Sequence, residues 1–465
     1  MRLRFAPSPT GSLHIGGLRT ALFNFLISSK LGGSLILRIE DTDRKRYQAG
    51  AIDSLINSLT WSGITFNEGP HIGGPFGSYI QSERLSLYRN AIEQLLESNA
   101  AYRDYASPGH PVKTCDQHLH KPHVVRFKLP QSDTHFTDTV YGDITFPSSK
   151  HPQMGFTNDP ILLKSDGFPT YHLASVVDDT HMQISHVLRG EEWLSSMPIH
   201  LALYKALEHP PPNFAHLPLL INPDGSKLSK RSGDVSVDTY QANQWEPEAL
   251  INFTALMGWN ALRTADPINP SDFLSIQSLI DRFDLRDVPH RRAAMFTGKL
   301  QFLNKQHLGK KVEQGDKGVL DRFRAMLDLH LFVDGFQFDD EYLLHVLILI
   351  KDRINNLSEA AQMGDYFFVE PLYNSLDAKL AYDSTTKDNI DAVLKAVSNA
   401  LHNLQDWQTD TLNSHLKHQQ KLLNLKTNEF MMPLRWALTG KKMGPSIAPT
   451  MQLLGKERTL HRLLK

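Results

Sequence analysis

A single cysteine, Cys115, stands among 465 residues. That excludes an intramolecular disulfide framework and any zinc site made of cysteines alone, and it suits a reducing compartment. Long apolar runs are missing too. The longest, Tyr342 to Ile350, is interrupted by His345 and falls far short of the ~20 residues that a membrane span needs. Net charge is close to nil, 49 Lys and Arg against 50 Asp and Glu. Bulk charge therefore says nothing about nucleic acid, and the distribution of charge has to decide. Met1 to Arg4 leads straight into a strand-like segment, so no signal peptide is expected. Repeats and low-complexity tracts are absent. What remains is a chain that is 41% hydrophobic, long enough for roughly three domains of about 150 residues.

Two short stretches carry chemistry. His14-Ile15-Gly16-Gly17 follows a turn, Pro7 to Gly11, and opens a helix expected over His14 to Leu31, with Leu18, Leu22, Phe25 and Leu26 at helical spacing. Lys227-Leu228-Ser229-Lys230-Arg231 follows Asn222-Pro223-Asp224-Gly225 and reads as a loop. Glycines let backbone N–H groups approach phosphates, and a helix N-terminus favours negative charge. A histidine and two lysines neutralise charge on a departing pyrophosphate. Together the two stretches predict attack on the α-phosphate of ATP.

Residues 2–6 read as a strand and Ser34 to Ile39 as another, which makes a βαβ unit ending at Glu40-Asp41-Thr42-Asp43. Such sheets bind nucleotides at the carboxyl ends of their strands. Helices are expected over Ala49 to Trp61, Glu83 to Ser98 and Trp193 to Glu208. Strands are expected over Val124 to Leu129, Gly142 to Phe146, Ile161 to Lys164, Ile184 to Leu188 and Leu217 to Ile221. Beyond Pro247 the pattern is helical to the end.

Arg4 to Gly17, reading Arg-Phe-Ala-Pro-Ser-Pro-Thr-Gly-Ser-Leu-His-Ile-Gly-Gly, closely resembles the opening of class I glutamyl-tRNA synthetases. Glu40 to Asp43, Leu162 to Ala174, Ser185 to Trp193 and Asn222 to Arg231 continue the likeness in the family's order, over almost the whole chain. The glutaminyl branch usually has histidine where Gly17 stands. The short tRNA-modifying paralogues lack the long helical C-terminus.

The resemblance implies an α/β fold: a Rossmann-type parallel sheet, an inserted α+β subdomain and an all-α anticodon-binding region. The implied segments are 1–84 and 172–223 for the two catalytic halves, 85–171 for the insertion, 224–305 for stem contact and 306–465 for the anticodon. It implies activation of L-glutamate by ATP, with Mg2+ accompanying the nucleotide, and transfer to tRNA(Glu), leaving tRNA(Gln) open as a second acceptor. A monomer in the mitochondrial matrix is expected, with the bacterial cytoplasm as the alternative.

Residue by residue, the resemblance assigns catalysis to His14, Lys227 and Lys230. ATP would also meet Gly16, Gly17, Glu192, Leu228, Ser229 and Arg231. Glutamate would meet Arg4, Phe5, Ala6, Ser8, Glu40, Tyr171, Ser175 and Arg189. In the family two arginines flank the amino acid, and a guanidinium fork suits a carboxylate. Glu40 would take the ammonium. Many members carry asparagine where Ser175 stands. Taken singly, each side chain also fits a plain role: a solvated arginine, a core tyrosine, a helix-capping histidine.

Cys115, His118, His120 and His123 form a C-x2-H-x-H-x2-H cluster of zinc-ligating types. Arg103-Asp104-Tyr105 stands where the family's zinc knot would have cysteines, and the spacing fits no common motif, so no structural zinc is expected. From Lys417 onward ten basic residues face only Glu429 and Glu457. That asymmetry, with Arg435, Lys441 and Lys442 at its centre, predicts contact with tRNA phosphates.

Overall fold

In the computed structural model the described residues are 1–105, 123–148, 159–226, 228, 236–259, 272–331, 338–385 and 389–464. Contacts divide the chain into two units, Met1–Ala242 with Pro247–Leu300, and Asn243–Glu246 with Gln301–Lys465.

The first unit holds every strand described. In chain order it runs β1 (Arg2–Phe5), α1 (Ile15–Lys30), β2 (Ser34–Leu37), α2 (Ala51–Trp61), α3 (Leu85–Glu97), β3 (Ala101–Asp104), β4 (Val124–Phe127), β5 (Thr134–Asp138), β6 (Gly142–Phe146), β7 (Ile161–Leu163), α4 (Tyr171–His181), β8 (His186–Gly190), α5 (Met197–Ala206), β9 (Asn213–Leu217), β10 (Leu220–Ile221), α6 (Val237–Ala242), α7 (Pro247–Leu256), α8 (Ile276–Arg282) and β11 (Ala293–Ala294).

β1 and β2 are parallel, Arg2 opposite Ser34 and Phe5 opposite Leu37. Parallel neighbours need a crossover, which α1 supplies. In the turn before α1, Gly11 takes φ 127°, a conformation that side-chain-bearing residues rarely adopt. α1 buries Leu18, Leu22 and Leu26, and also Ile15, Ala21, Phe23 and Ile27. Its apolar surface is wider than one stripe because it packs on β1, β2 and β8 and also on α7 and α8.

On its other edge β1 meets β8, where the Ser185 N–H donates to the Arg2 carbonyl at 3.0 Å. β8 pairs in parallel with β9, and β9 with β5. β6 closes this edge as the antiparallel partner of β5. β3, β4 and β7 form a separate antiparallel sheet.

The expected elements shift where proline intervenes. The helix expected from Trp193 begins as a 3-10 turn over Glu191–Ser196, and α5 starts at Met197 with Pro198 in its first turn. There the missing N–H of proline costs nothing. The strand expected over Leu217 to Ile221 divides at Pro218, which offers no N–H to a ladder, into β9 before it and the two-residue β10 after it. β5 is absent from the sequence-based expectations; four of its five residues are polar.

The second unit is helical: Lys317–Leu331, Asp340–Ile350, Ser358–Met363, Leu376–Asp383, Ile390–His402, Thr409–Leu422, Thr427–Thr439, Ile447–Leu454 and Lys456–Leu463 follow one another. Leu343, Leu347 and Ile350 face its core, as their spacing predicts. Glu246, fully buried, binds Lys311 at 2.8 Å and Arg322 at 2.5 Å, which ties the short Asn243–Glu246 segment into this unit.

Candidate active site

The carboxyl ends of three parallel strands deliver the charged groups. Arg4 lies on β1, Glu40 follows β2, and Arg189 lies near the end of β8. All three are under 9% exposed. Buried strands of a parallel sheet are ordinarily apolar runs, and a guanidinium there must find partners.

Beneath the site a charge cluster is balanced. Asp179 accepts from Arg4 Nε at 3.0 Å and Arg38 Nη1 at 2.6 Å. Arg38 also donates to Glu40 at 3.2 Å. Asp178 accepts from Arg84 Nε, Gln81 and Tyr88, each at 2.8 Å. Three carboxylates thus meet three guanidiniums. Burial pushes the Glu40 carboxyl up against the pull of Arg38 and Arg4. Asp179 sits low, its two arginines outweighing the burial. Arg4 Nη2 has no acceptor among the described residues.

Arg189 is different. It makes no ion pair with a described residue. Nη1 donates to Tyr171 Oη at 3.2 Å, Nε to His216 at 3.0 Å, and its guanidinium lies 5.4 Å from the Phe214 ring centroid. The Tyr171 ring packs on Trp193 at 4.0 Å.

His14 caps α1. Its Nδ1 accepts from the N–H of Gly16 at 3.0 Å and of Gly17 at 3.4 Å. The ring proton is therefore on Nε2. Glycine at 16 makes room for this: a Cβ there would lie 2.8 Å from His14 Cε1.

A cavity of about 350 Å³ unites these groups. Of the residues assigned to glutamate, Arg4, Phe5, Ala6, Ser8, Glu40, Tyr171 and Arg189 line it. Of those assigned to ATP, His14, Gly17 and Glu192 line it. Ser175 does not: it is buried on α4, one turn beyond Tyr171. Gly16 does not line it; its N–H is held by His14 Nδ1. Trp193 also lines the cavity, and the sequence reading passed over it. Its signal was the aromatic two residues beyond Glu191, in the stretch that carries the resemblance. A second cavity of about 640 Å³ shares Ser8, Glu40, Tyr171 and Trp193 and adds Arg44, Lys45 and Lys164.

Lys227, Ser229, Lys230 and Arg231 lie outside the described residues, as do Cys115, His118 and His120. Leu228 is half-buried. Just past the lysine stretch, Ser236 bridges His14, and the Val237 N–H donates to the Leu13 carbonyl at 2.9 Å. Among the described residues no cluster of three or more His, Cys, Asp or Glu side chains is placed to hold a metal ion.

In the second unit Arg435 is half-buried, and its Nη1 has no hydrogen-bond partner among the described residues. Lys442 is exposed. Lys441 is engaged, with Asp365 at 3.0 Å. Other cations of the basic tail are structural. Arg462, 2% exposed, donates to the carbonyls of Tyr366, Leu438 and Val369. Arg458 holds the Phe367 carbonyl and Tyr342 Oη. The count of charges thus overstates the charge on offer to a ligand.

Three histidines near Arg189 give a pH signature. Burial, reinforced by Arg189, lowers His172 to about 4 and His200 well below its ordinary value. Burial also lowers His216. The unfolded chain takes up these protons near pH 6.5, whereas the folded chain does not. Stability is therefore whole above pH 6.5 and falls as pH drops toward 4, by up to about 1.4 kcal/mol per pH unit for each histidine. Asp138 and Asp179, held low, add their loss only below the ordinary carboxylate range. Unfolding midpoints measured from pH 7.5 to 4.5 should fall from about pH 6.5 downward, and less steeply in His172→Gln. A flat profile down to pH 5 would overturn the neutral-histidine assignment.

Known proteins carry the same pattern. A family described as "tRNA synthetases class I (E and Q), catalytic domain" matches residues 1–114 and 113–302, and an "Anticodon binding domain" matches 319–465. A protein of Chloroherpeton thalassium named glutamate–tRNA ligase is 39% identical over 502 aligned positions, covering 100% of this chain and 97% of that one. A Dehalococcoides mccartyi protein of the same name is 38% identical, with 100% and 96% covered. The crystal structure of a glutamate tRNA ligase from Elizabethkingia meningosepticum, in complex with its amino acid, superposes with a TM-score of 0.86 at 31% identity, covering 100% of this chain and 98% of that one.

Proposed function

The chain belongs to the class I tRNA synthetases of the glutamate and glutamine group, and on that premise we propose how its residues divide the work of a glutamate–tRNA ligase. The ligase joins L-glutamate to ATP as glutamyl-adenylate, releases pyrophosphate, and passes the acyl group to the 3′ adenosine of tRNA(Glu).

Arg4 and Arg189 hold the two carboxylates of glutamate, Glu40 takes its ammonium, and Ser8 and Tyr171 supply hydroxyls. An α-carboxylate oxygen attacks the α-phosphorus as the bond to the β-phosphate breaks. No side chain becomes covalently attached, so positioning and charge neutralisation supply the rate. His14 Nε2–H, the α1 N-terminus, Lys227 and Lys230 meet the charge that moves onto pyrophosphate. Glu192 contacts the adenosine of ATP. Lys230 stands six positions before Ser236, a reach of at most about 22 Å from the His14 bridge. Magnesium comes on the phosphates of ATP. In the second step the terminal adenosine enters the adjoining cavity, and its hydroxyl displaces AMP.

The insertion is 85–171, the stem-contact segment 224–305 and the anticodon region 306–465. Arg435 and Lys442 serve tRNA better than the committed Lys441. A monomer is proposed, with tRNA(Gln) as a second acceptor to be tested by charging. The named relatives are bacterial, which favours the bacterial cytoplasm over the mitochondrial matrix.

One observation carries this reading: a single cavity that brings together Arg4, Arg189, Glu40 and the helix-capping His14. Its test is exchange of labelled pyrophosphate into ATP, with tRNA(Glu) present. Glutamate should support exchange and glutamine should not. No exchange under these conditions would overturn the assignment.

A further inference from the structure

The charge on Arg189 is left uncompensated at first hand. Its donors meet the Tyr171 hydroxyl, His216 Nε2, His200 Nδ1 at 3.1 Å, the Trp193 carbonyl at 3.4 Å and Met197 Sδ at 3.1 Å. Every one of these is neutral. The carboxylates of Glu40, Asp178 and Asp179 are committed to Arg4, Arg38 and Arg84.

One acid addresses Arg189 through a ring. Asp138 Oδ2 lies 2.6 Å from His216 Nδ1, and both side chains are fully buried. Oδ1 accepts the N–H groups of Val140 at 2.9 Å and Tyr141 at 3.0 Å. These contacts hold the carboxyl ionised, and an ionised carboxyl only accepts. His216 Nδ1 therefore carries the proton. Arg189 only donates, so Nε2 must offer its lone pair. Two neighbours select one neutral tautomer and forbid the imidazolium, which would set N–H against N–H.

Strand register builds the relay. Arg189 on β8 sits opposite His216 on β9, and Asp138 on β5 flanks β9 opposite Phe214. β5 belongs to the proposed insertion, which thus reaches the amino-acid site.

We propose that Asp138 and His216 are positioning residues for the amino-acid substrate: they fix Arg189 by its Nε edge, leave its charge unspent, and so set the preference for glutamate over glutamine. The inference rests on the reading that Arg189 grips a glutamate carboxylate. A carboxylate placed directly on Arg189 would have to be displaced by the substrate. A neutral imidazole orients the fork without cancelling its charge, and a fork already ordered loses less freedom on binding.

Asp138→Asn tests this in the full chain. Its amide can still accept the backbone N–H groups, but it then turns an N–H toward His216, reversing the tautomer. KM for glutamate in tRNA-supported pyrophosphate exchange should rise about tenfold, with KM for ATP within twofold and kcat falling less than threefold. The glutamate-to-glutamine ratio of kcat/KM should fall in step. Nitrogen-15 NMR should show His216 protonated at Nδ1 in the parent protein and not in the variant. His216→Asn, which loses the contact to Arg189, should give the same split, and it decides the matter if Asp138→Asn does not fold. An unchanged glutamate KM in a folded variant would overturn the relay while leaving the role of Arg189 intact. Equal rises in both KM values would mark a structural effect and also overturn it. If Arg189→Ala itself kept the parent glutamate KM, the underlying reading would fall.

Discussion

Arg189→Ala should lower kcat/KM for glutamate by about 10²–10³-fold and leave KM for ATP nearly unchanged, since removing one partner of a buried, hydrogen-bonded charge pair costs about 2–5 kcal/mol. The upper part of that range is expected because the acids nearby are already matched by Arg4, Arg38 and Arg84. No other described cation is free of an ion pair at this end of the cavity. Lysine should not rescue. Its ammonium is a point charge that cannot donate to His216 Nε2 and hold a carboxylate on a second, rigidly placed edge. Glutamate titrations in pyrophosphate exchange give the answer. A loss below tenfold in both variants would mean that Arg189 is a structural arginine and that the substrate carboxylate lies elsewhere.

Arg4, Glu40 and Arg189 were legible through the stretches that resemble the glutamyl-tRNA synthetases; taken singly, each also fitted a plain role, and only their joint occurrence in order pointed to one site. His14 was legible through its glycines. The support behind Arg189 was not. Asp138 lies 78 positions from His216, and only the parallel register of β5 on β9 joins them. No local pattern marks a polar strand such as β5 as the neighbour of a buried one. The basic tail shows the opposite limit. Lys441, Arg458 and Arg462 read as surface charge, yet each is spent on a carbonyl or carboxylate inside its own unit. A run of cations in sequence does not say which of them turn outward and which fold back onto their own unit. Ser175 shows the same limit on a smaller scale: one turn of α4 separates a side chain in the cavity from one buried behind it.

His14 offers two separable effects. As the cap of α1 it satisfies the Gly16 and Gly17 N–H groups, and alanine in its place should cost about 1 kcal/mol of stability. As a donor through Nε2 it acts on charge that appears only as pyrophosphate departs, and losing one such donor lowers kcat about 10²–10³-fold. His14→Asn keeps a side-chain acceptor for the cap but has no ring to carry an N–H as far into the cavity. Its unfolding midpoint should therefore stay within about 2 °C of the parent, whereas His14→Ala should fall further. Both should lose about 10²-fold in kcat, with KM for ATP moving little, since an interaction made only in the transition state does not strengthen ground-state binding. If the histidine merely capped the helix, asparagine would restore activity along with stability. A kcat for His14→Asn within threefold of the parent would thus assign the residue to folding alone and leave the departing charge to the helix N-terminus and the lysines.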